Sequence, residues 1–424
     1  MAFKEVEHAT EPVRAALLFF VCAAVANADE GKPVDEGAVF QTLPVKASSD
    51  LVETWRKQYE GFAEPKALAM ALGEDGAWAF GWLEKAPGVL PAIGAALQGC
   101  EQARRQKEIA TPCEIIRVND QELELGRAFA KRINASDATP AMVWRFQKND
   151  RTLYLAGSLH VFKSSLYPLP AAYEKAFSDS ESLILEVNLA AVPPQDLMKL
   201  RQKHLMLPDG KTLDSVLPEP LLEKTKKEIA DLGVPWSAVA TLTPAALGIE
   251  FSQALFMTRG YFPQAGIDQH LLTRALQGGK TVDQLETLEF QLALLGEMPV
   301  DLQKIQSRTT LDSKTLSHRP DELLEAWYLG DLQRIASLMA TDYDASAELR
   351  NWHRRVFRER NEKMADQIAG LLESAPQTKM IVVGTGHLAG DDSIIQLLAQ
   401  KKITGVRLSR DGSPLKEERV SPGH

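Results

Sequence analysis

The sequence has few of the residues that build the commonest hydrolase sites. Among its 424 residues are only eight histidines and three cysteines, and neither His-Glu-x-x-His nor Gly-x-Ser-x-Gly occurs. The first spacing marks the zinc-binding helix of a large metalloprotease class, and the second marks the nucleophile turn of α/β-hydrolases. The sequence therefore excludes both of these hydrolase templates.

Positive charge is also scarce. Asp and Glu outnumber Lys and Arg by 57 to 48, which gives a formal net charge of −9 at pH 7. No basic stripe stands out against this acidic balance, so the sequence lacks the phosphate-binding surface that nucleic acids require. We expect no nucleic-acid partner.

Long apolar runs are missing apart from one segment near the N terminus. Ala15–Ala28 is mostly apolar but only about 14 residues long, too short to span a bilayer. It ends in the small-x-small pattern Ala26–Ala28, which is typical of a secretory signal peptide. We predict a signal peptide over residues 1–28, a mature chain that begins at Asp29 and has no membrane span, and a periplasmic or secreted protein. Acidic residues before this segment favour a translation start at Val13, and an anchored or buried N-terminal helix is the alternative.

Removal of the signal peptide would take Cys22 with it and leave two cysteines. An even number of cysteines in an exported protein indicates a disulfide, so we predict a bond between Cys100 and Cys113. Closing this short loop is worth about 3 kcal/mol in the chain-entropy model.

The region around these cysteines is predicted to form a separate small α+β module over residues 29–138. Its apolar patterning indicates a strand at Lys66–Ala71, a helix at Val89–Gln102 and a second strand at Cys113–Val118. No catalytic cluster stands out here, which favours packing or partner binding. The polar stretch Ala135–Pro140 is the predicted linker to the rest of the chain.

Two apolar runs far apart in the chain end in the same way. Leu153–Ala156 leads into Gly-Ser-Leu-His160, and Ile381–Val383 leads into Gly-Thr-Gly-His387. A short apolar run bounded by glycine predicts a buried strand, so each histidine follows the C-terminal end of a strand. In open α/β sheets ligands bind outside these strand ends, and we expect both imidazoles to face one site.

A glutamate is expected to join the first histidine. The segment after His160 predicts a helix over Ala171–Phe177 and then a second strand over Ser182–Val187, which completes a βαβ unit. Such a unit often places its two strands side by side, which would bring Glu186 next to His160. Two histidines and a glutamate at converging strand ends form either a metal site or an acid–base site.

The rest of the chain completes the predicted fold. Met142–Gln147 and Arg151–Ala156 predict a hairpin, and the residues from about 193 to 344 predict helices with short breaks. We expect an α/β domain over residues 139–424, with a central, mostly parallel but mixed sheet flanked by helices. The helical insertion at about 193–344 should cover the strand ends and shape access to the site.

Seven short motifs from about Val143 to Leu408 occur in an order that is familiar from one protein family. They are Tyr154–His160, Tyr167–Pro170, Leu185–Val187, Gly266–Asp268, Leu285–Thr287 with Gln291, Arg360–Asn361 and Val383–Gly390. In this order they resemble the TraB/GumN family, which is related to the TIKI metalloproteases and more remotely to the erythromycin-esterase/ChaN-like superfamily.

The resemblance implies a metal-dependent hydrolase, with peptidase activity described for TIKI members, and a divalent ion (Mn, Co or Zn). Its substrate would be a peptide or a small molecule. The residues that it implies as metal ligands or catalytic groups are His160, Glu186, Glu286, Arg360, Asn361 and His387. By chemistry alone Asp268 and Glu286 are helix caps or solvated charges, and Arg360 belongs to the charged face of a long helix over Ala345–Leu372.

Three functions remain open from the sequence. The first is an exported metal-dependent hydrolase in which His160, His387 and Glu186 hold or flank the ion. The second is a metal-free, esterase-like hydrolase that uses a histidine as general base, oriented by Glu186. The third is a binding protein that presents the same pocket to a ligand or haem without turnover.

Overall fold

The computed structural model describes residues 57–419 except 74, 149–150, 341–342, 344 and 375–376. The predicted signal peptide, the predicted mature start at Asp29 and Cys22 lie outside the described residues. The strands are β1 Ala67–Leu72, β2 Trp78–Leu83, β3 Glu114–Val118, β4 Gln121–Glu122, β5 Pro140–Lys148, β6 Arg151–Ser158, β7 Ser182–Leu185, β8 Thr281–Gln284, β9 Lys379–Gly384, β10 Gly405–Ser409 and β11 Pro414–Arg419.

Helices account for most of the remaining described chain. They are α1 Val89–Gln106, α2 Gly126–Ile133, α3 Ala171–Asp179, α4 Pro194–His204, α5 Glu219–Asp231, α6 Trp236–Val239, α7 Pro244–Thr258, α8 Ile267–Gln277, α9 Leu288–Gly296, α10 Val300–Thr310, α11 Ser313–Leu316, α12 Arg319–Leu329, α13 Leu332–Ala340, α14 Ala347–Ser374 and α15 Ile394–Gln400.

The first four strands form an antiparallel sheet in the order β2-β1-β3-β4, with α1 packed on one face. Gly81 in β2 allows this packing, because a Cβ at that position would collide with the backbone of Ala96 and Cys100 in α1. The sequence predicted β1, α1 and β3 but not β2. A glycine in mid-strand and a short loop hide the alternation that marks a strand.

A disulfide joins Cys100 in α1 to Cys113 just before β3, with their Cα atoms 6.1 Å apart. Both cysteines are buried in the core of this small sheet. The structure therefore contains the disulfide that the cysteine count predicts.

The other seven strands form one mixed sheet in the order β11-β10-β5-β6-β9-β7-β8. The pairs from β11 to β6 are antiparallel, and the pairs from β6 to β8 are parallel. Helices pack on both faces, so β9 is buried from Met380 to its end, and all of its residues after Lys379 are apolar. This confirms the predicted α/β class with a mixed sheet and a small N-terminal module.

One predicted neighbour relation is wrong. The βαβ unit made by β6, α3 and β7 does not bring its two strands together, because β9 lies between them and pairs with both. A strand from the far end of the sequence thus separates His160 from Glu186. That strand leads into the second Gly-x-x-His motif. Its position between β6 and β7 therefore brings His387 into the middle of the site.

The segment at about 193–344 is helical from α4 to α13 apart from β8, which pairs with β7 at the edge of the sheet. Its helices bury their own apolar core, and α7 packs against α10 and against α1 of the N-terminal sheet. The backbone N–H of Leu90 also donates to the carbonyl of Leu232 at 3.1 Å. These contacts attach the insertion to the N-terminal module.

None of the helices in the described ranges is both long enough and apolar enough to cross a bilayer.

We predict that Cys100→Ala/Cys113→Ala, in a chain without residues 1–28, lowers the free energy of unfolding by about 3 kcal/mol. The cross-link closes a loop with a sequence separation of 13 and restricts the unfolded chain. Urea unfolding measures the difference. Wild-type protein unfolded in a reducing agent is the control and should lose the same amount, whereas equal stability of all three samples contradicts the prediction.

Candidate functional site

The ends of three parallel strands bring the two Gly-x-x-His motifs and Glu186 together. Ser158 of β6 and Gly384 of β9 are register partners, and each strand is followed by its histidine. Leu185, the last residue of β7, is the register partner of Val382 in β9, and Glu186 comes next. Because the strands are parallel, all three side chains lie at one edge of the sheet.

Gly384 is the point that the three side chains surround. A Cβ at this position would lie 3.2 Å from Nε2 of His160 and 3.4 Å from Oε2 of Glu186. It would also lie 3.7 Å from the His387 ring. The N–H group of Gly384 donates to Oε2 of Glu186 at 2.9 Å. The missing side chain thus leaves room for the imidazoles and the carboxylate to approach one another.

His160 is held by Asp268, with 3.2 Å between Nδ1 and Oδ1. An ionised carboxylate only accepts hydrogen bonds, so Nδ1 carries the proton and Nε2 faces the centre of the site. Asp268 is in the first turn of α8, which begins against the loop after β6: the N–H of Ile267 donates to the carbonyl of Leu159 at 3.0 Å. Gly266 makes this approach possible, because a Cβ there would lie 2.5 Å from the carbonyl oxygen of His160.

The charge state of His160 reflects two opposing effects. Burial among surrounding groups favours the neutral imidazole, but the carboxylates of Asp268 and Glu186 outweigh it and raise the pKa of His160. The side chain nevertheless keeps 61% of its surface accessible. Water screens the carboxylates at this exposed position, so they raise the pKa of His160 less than they would in a buried pair.

His387 is held from the other side by Asn361 in α14. Nδ2 of Asn361 donates to the carbonyl of Asp392 at 2.8 Å, which leaves its Oδ1 to accept from Nδ1 of His387 at 2.6 Å. Nε2 of His387 then lies 3.6 Å from Oε1 of Glu186. Only 5% of the His387 side chain is exposed, and its ring lies 5.3 Å from that of Phe357.

Arg360 joins two buried glutamates. Its Nε donates to both carboxylate oxygens of Glu286 at 3.0 and 3.1 Å. One terminal nitrogen donates to Oε2 of Glu286 at 2.7 Å and also to Oε1 of Glu186. The three side chains are at most 13% exposed. Because the guanidinium is engaged with two glutamates, the geometry favours a positioning role for Arg360 over direct contact with a substrate oxygen.

Gln291 in α9 completes this cluster, since its Nε2 donates to Glu186 at 2.6 Å and to Glu286 at 3.1 Å. Burial alone would raise the pKa of Glu186, but His387, Arg360 and His160 together hold it well below its usual range. Among the described residues, the site thus holds three carboxylates, those of Glu186, Glu286 and Asp268, but one guanidinium, which pairs with the two glutamates. The excess of negative charge suits a bound cation or protonated imidazoles.

The model of the TraB/PrgY/gumN family matches residues 142–407, a range that contains every residue of this cluster. The chain belongs to the TraB/PrgY/gumN family.

Similar proteins in two bacteria have the same name. The chain is 23% identical over 251 residues to "Uncharacterized protein YbaP" of Escherichia coli (strain K12), which covers 59% of this chain and 88% of that protein. The figures for "Uncharacterized protein YbaP" of Shigella flexneri are the same. No solved structure matches the chain.

In this TraB/PrgY/gumN member, the structure brings together all the residues that the sequence analysis named as metal ligands or catalytic groups. They are His160, Glu186, Glu286, Arg360, Asn361 and His387. Their roles stay predictions. By chemistry alone the sequence did not favour Asp268 or Gln291 for the site, although both lie in the matching motifs.

Two of the other histidines pack against aromatic rings. His270 stacks on Tyr167 with ring centres 3.9 Å apart. His353 lies 4.6 Å from the ring of Phe357, which in turn contacts His387.

We predict that Arg360→Ala lowers the free energy of unfolding by about 3–5 kcal/mol, because it leaves two buried carboxylates without their cation. Arg358→Ala is the matched control. Arg358 lies in the same helix, but its side chain is 48% exposed and pairs with Glu362, which is also exposed, so its loss should lower the free energy of unfolding far less. Urea unfolding of both variants tests this, and equal losses would refute a special role for the buried cluster.

Proposed function

We propose that this TraB/PrgY/gumN member is an exported, metal-dependent hydrolase that acts on peptides. The observation that carries the proposal is the meeting of His387 and Glu186, 3.6 Å apart, beside the inward-facing Nε2 of His160. Both imidazoles are bound through Nδ1 to an oxygen acceptor. This is the arrangement that directs Nε2 of a histidine to a metal ion or to a reacting group.

A divalent ion suits these donors. Imidazole nitrogens and carboxylate oxygens bind zinc at about 2.0–2.2 Å, so two such ligands of one ion lie roughly 3.4 Å apart. The distance between His387 and Glu186 is close to this value. In the part of the chain that the structure describes, no three His, Cys, Asp or Glu side chains are gathered into a complete ligand set. We propose His160 as the third ligand.

The chemistry of such a site divides between the ion and the protein. When bound, the ion would lower the pKa of a water molecule and polarise the substrate carbonyl. Asp268 and Asn361 hold the two imidazoles in the tautomer that presents Nε2. Arg360, Gln291 and the N–H group of Gly384 fix the Glu186 carboxylate.

A metal-free hydrolase is the second candidate, and the pair of His160 and Asp268 favours it. An accessible imidazole that is held through Nδ1 by a carboxylate is the usual arrangement of a general base. In this candidate His160 takes a proton from the attacking water, and Asp268 rather than Glu186 orients the ring. Activity that survives metal removal would favour it over the first candidate.

Export is proposed from two features. The sequence has an apolar segment ending in small-x-small at Ala28, and the structure contains a disulfide between Cys100 and Cys113. Disulfides persist in oxidising compartments such as the bacterial periplasm.

We predict that His387→Ala abolishes most peptidase activity, by about 1,000-fold or more, and removes the bound ion. Ligands of one site act as a unit, so His160→Ala and the double variant should be nearly as inactive as His387→Ala alone. Turnover of a mixed peptide library and elemental analysis of the dialysed proteins measure the two effects.

The control for these variants is His318→Ala, because His318 is exposed and precedes α12. It should keep both activity and metal, and thermal unfolding of every variant checks that the fold is intact. An intact His387→Ala protein with full activity would overturn the shared site. Loss of activity with unchanged metal content, or wild-type protein active without metal, would replace the first candidate by the metal-free one.

We predict that Asp268→Asn lowers activity by about 10–100-fold, because the amide can still meet Nδ1 of His160 but no longer supplies the charge that orients and polarises the ring. Asp209→Asn is the matched control, since Asp209 is exposed in a turn away from the site. Rates of peptide cleavage are compared. A rate within about twofold of wild type would show that Asp268 has only a structural role.

A further inference from the structure

A cavity of about 260 Å³ opens beside His160, Glu186 and Asp268. One part of its wall is apolar and comes from three elements: Leu185 at the end of β7, Ile249 in α7 and Leu288 at the start of α9. Sites that enclose a whole small molecule usually measure about 300–1,000 Å³. This cavity is smaller, so it suits a part of a substrate.

Among the described residues, the lining of the cavity contains acidic side chains but no lysine or arginine. Its ionisable members are Glu186, Asp268 and His160 at the catalytic end. An anionic group placed against the apolar wall would lose its hydration and would meet the carboxylates of Glu186 and Asp268, with no Lys or Arg side chain of the described lining to pair with. The lining therefore disfavours acidic side chains and terminal carboxylates.

Amide side chains supply the polar part of the wall. Gln253 lies one turn after Ile249 in α7, so the two side chains share a helix face. Oε1 of Gln253 is buried and has no hydrogen-bond partner among the described residues. An unpaired buried acceptor is destabilising, and a small rotation of this amide would let it accept from a backbone N–H of a bound peptide.

We infer that this cavity receives one uncharged, apolar side chain of a peptide substrate, next to the bond that is cleaved. The inference rests on the proposed peptidase function and adds the substrate class: peptides with an aliphatic or aromatic residue beside the scissile bond. Ile249 is the residue best placed to test it. It is half-buried, so a change there disturbs the core less than a change at Leu185 or Leu288, which are both buried.

The experiment uses the purified mature protein and a mixed peptide library, with cleavage sites identified by mass spectrometry. For wild type, one position adjacent to the cleaved bond should be enriched in Leu, Ile, Val, Met and Phe and depleted in Asp and Glu. Ile249→Arg places a cation in the cavity. Compared with wild type, it should lower the ratio of kcat/KM for apolar residues to kcat/KM for acidic residues at that position by at least about tenfold. This is the lower end of the discrimination that contacts in an apolar pocket supply.

Met198→Arg is the matched control. Met198 is 60% exposed on α4 and does not line the cavity, so the same added charge should leave the preference unchanged. Ile249→Ala enlarges the cavity and should shift the preference from Leu toward Phe. It tests the inference if Ile249→Arg does not fold. A profile without an apolar preference, or one that Ile249→Arg and Ile249→Ala both leave unchanged, overturns the inference.

A binding measurement separates this inference from the proposed function. N-acetyl-leucinamide and N-acetyl-glutamate amide are titrated into wild type and Ile249→Arg, and binding is followed by ligand-observed NMR. If no peptide is cleaved but wild type binds the leucine compound in preference and Ile249→Arg reverses this, the peptidase function fails and the subsite stands. If peptides are cleaved but neither variant discriminates between the two compounds, the subsite fails and the peptidase function stands.

Discussion

One guanidinium shared by two buried glutamates is the constraint around which the site is built. Glu186 follows β7, Glu286 lies between β8 and α9, and Arg360 is in the middle of α14. A buried carboxylate without a partner is costly, so the shared guanidinium stabilises the packing of these three segments against one another. The same helix turn carries Asn361, which holds His387. The helix turn that holds the ion cluster therefore also positions the His387 imidazole.

The order of the sheet determines what the cluster faces. Strand β9 lies between β6 and β7, so its last residue, Gly384, lies among the two histidines and Glu186. A larger residue at this position would place its side chain between them. A simple βαβ pair would have placed His160 and Glu186 side by side with nothing from the C-terminal part of the chain between them. The crossing of β9 turns two distant copies of Gly-x-x-His into one site.

The sequence predicts where the strands of the site end, but it does not predict the order of those strands in the sheet. Apolar runs that stop at glycine placed His160 and His387 correctly, and a carboxylate after an apolar run singled out Glu186, because these are local signals. Strand neighbours depend on pairing between distant segments, which periodicity does not encode. Asp268 shows the same limit, because a carboxylate in the first turn of a helix is ordinarily a solvated charge. Its contact with His160 and the close approach of Gly266 to the same residue distinguish it, and both appear only in the fold.

The two Gly-x-x-His motifs are alike in sequence but not in environment. His160 keeps 61% of its side-chain surface accessible at the edge of the cavity, whereas His387 keeps 5% beneath α14 and Phe357. His160 has a charged partner, Asp268, and His387 has a neutral one, Asn361. The carboxylate of Asp268 favours the protonated form of the His160 ring and raises its pKa. Water and bound molecules can therefore reach the His160 ring, whereas the His387 ring is held in a fixed position behind Glu186.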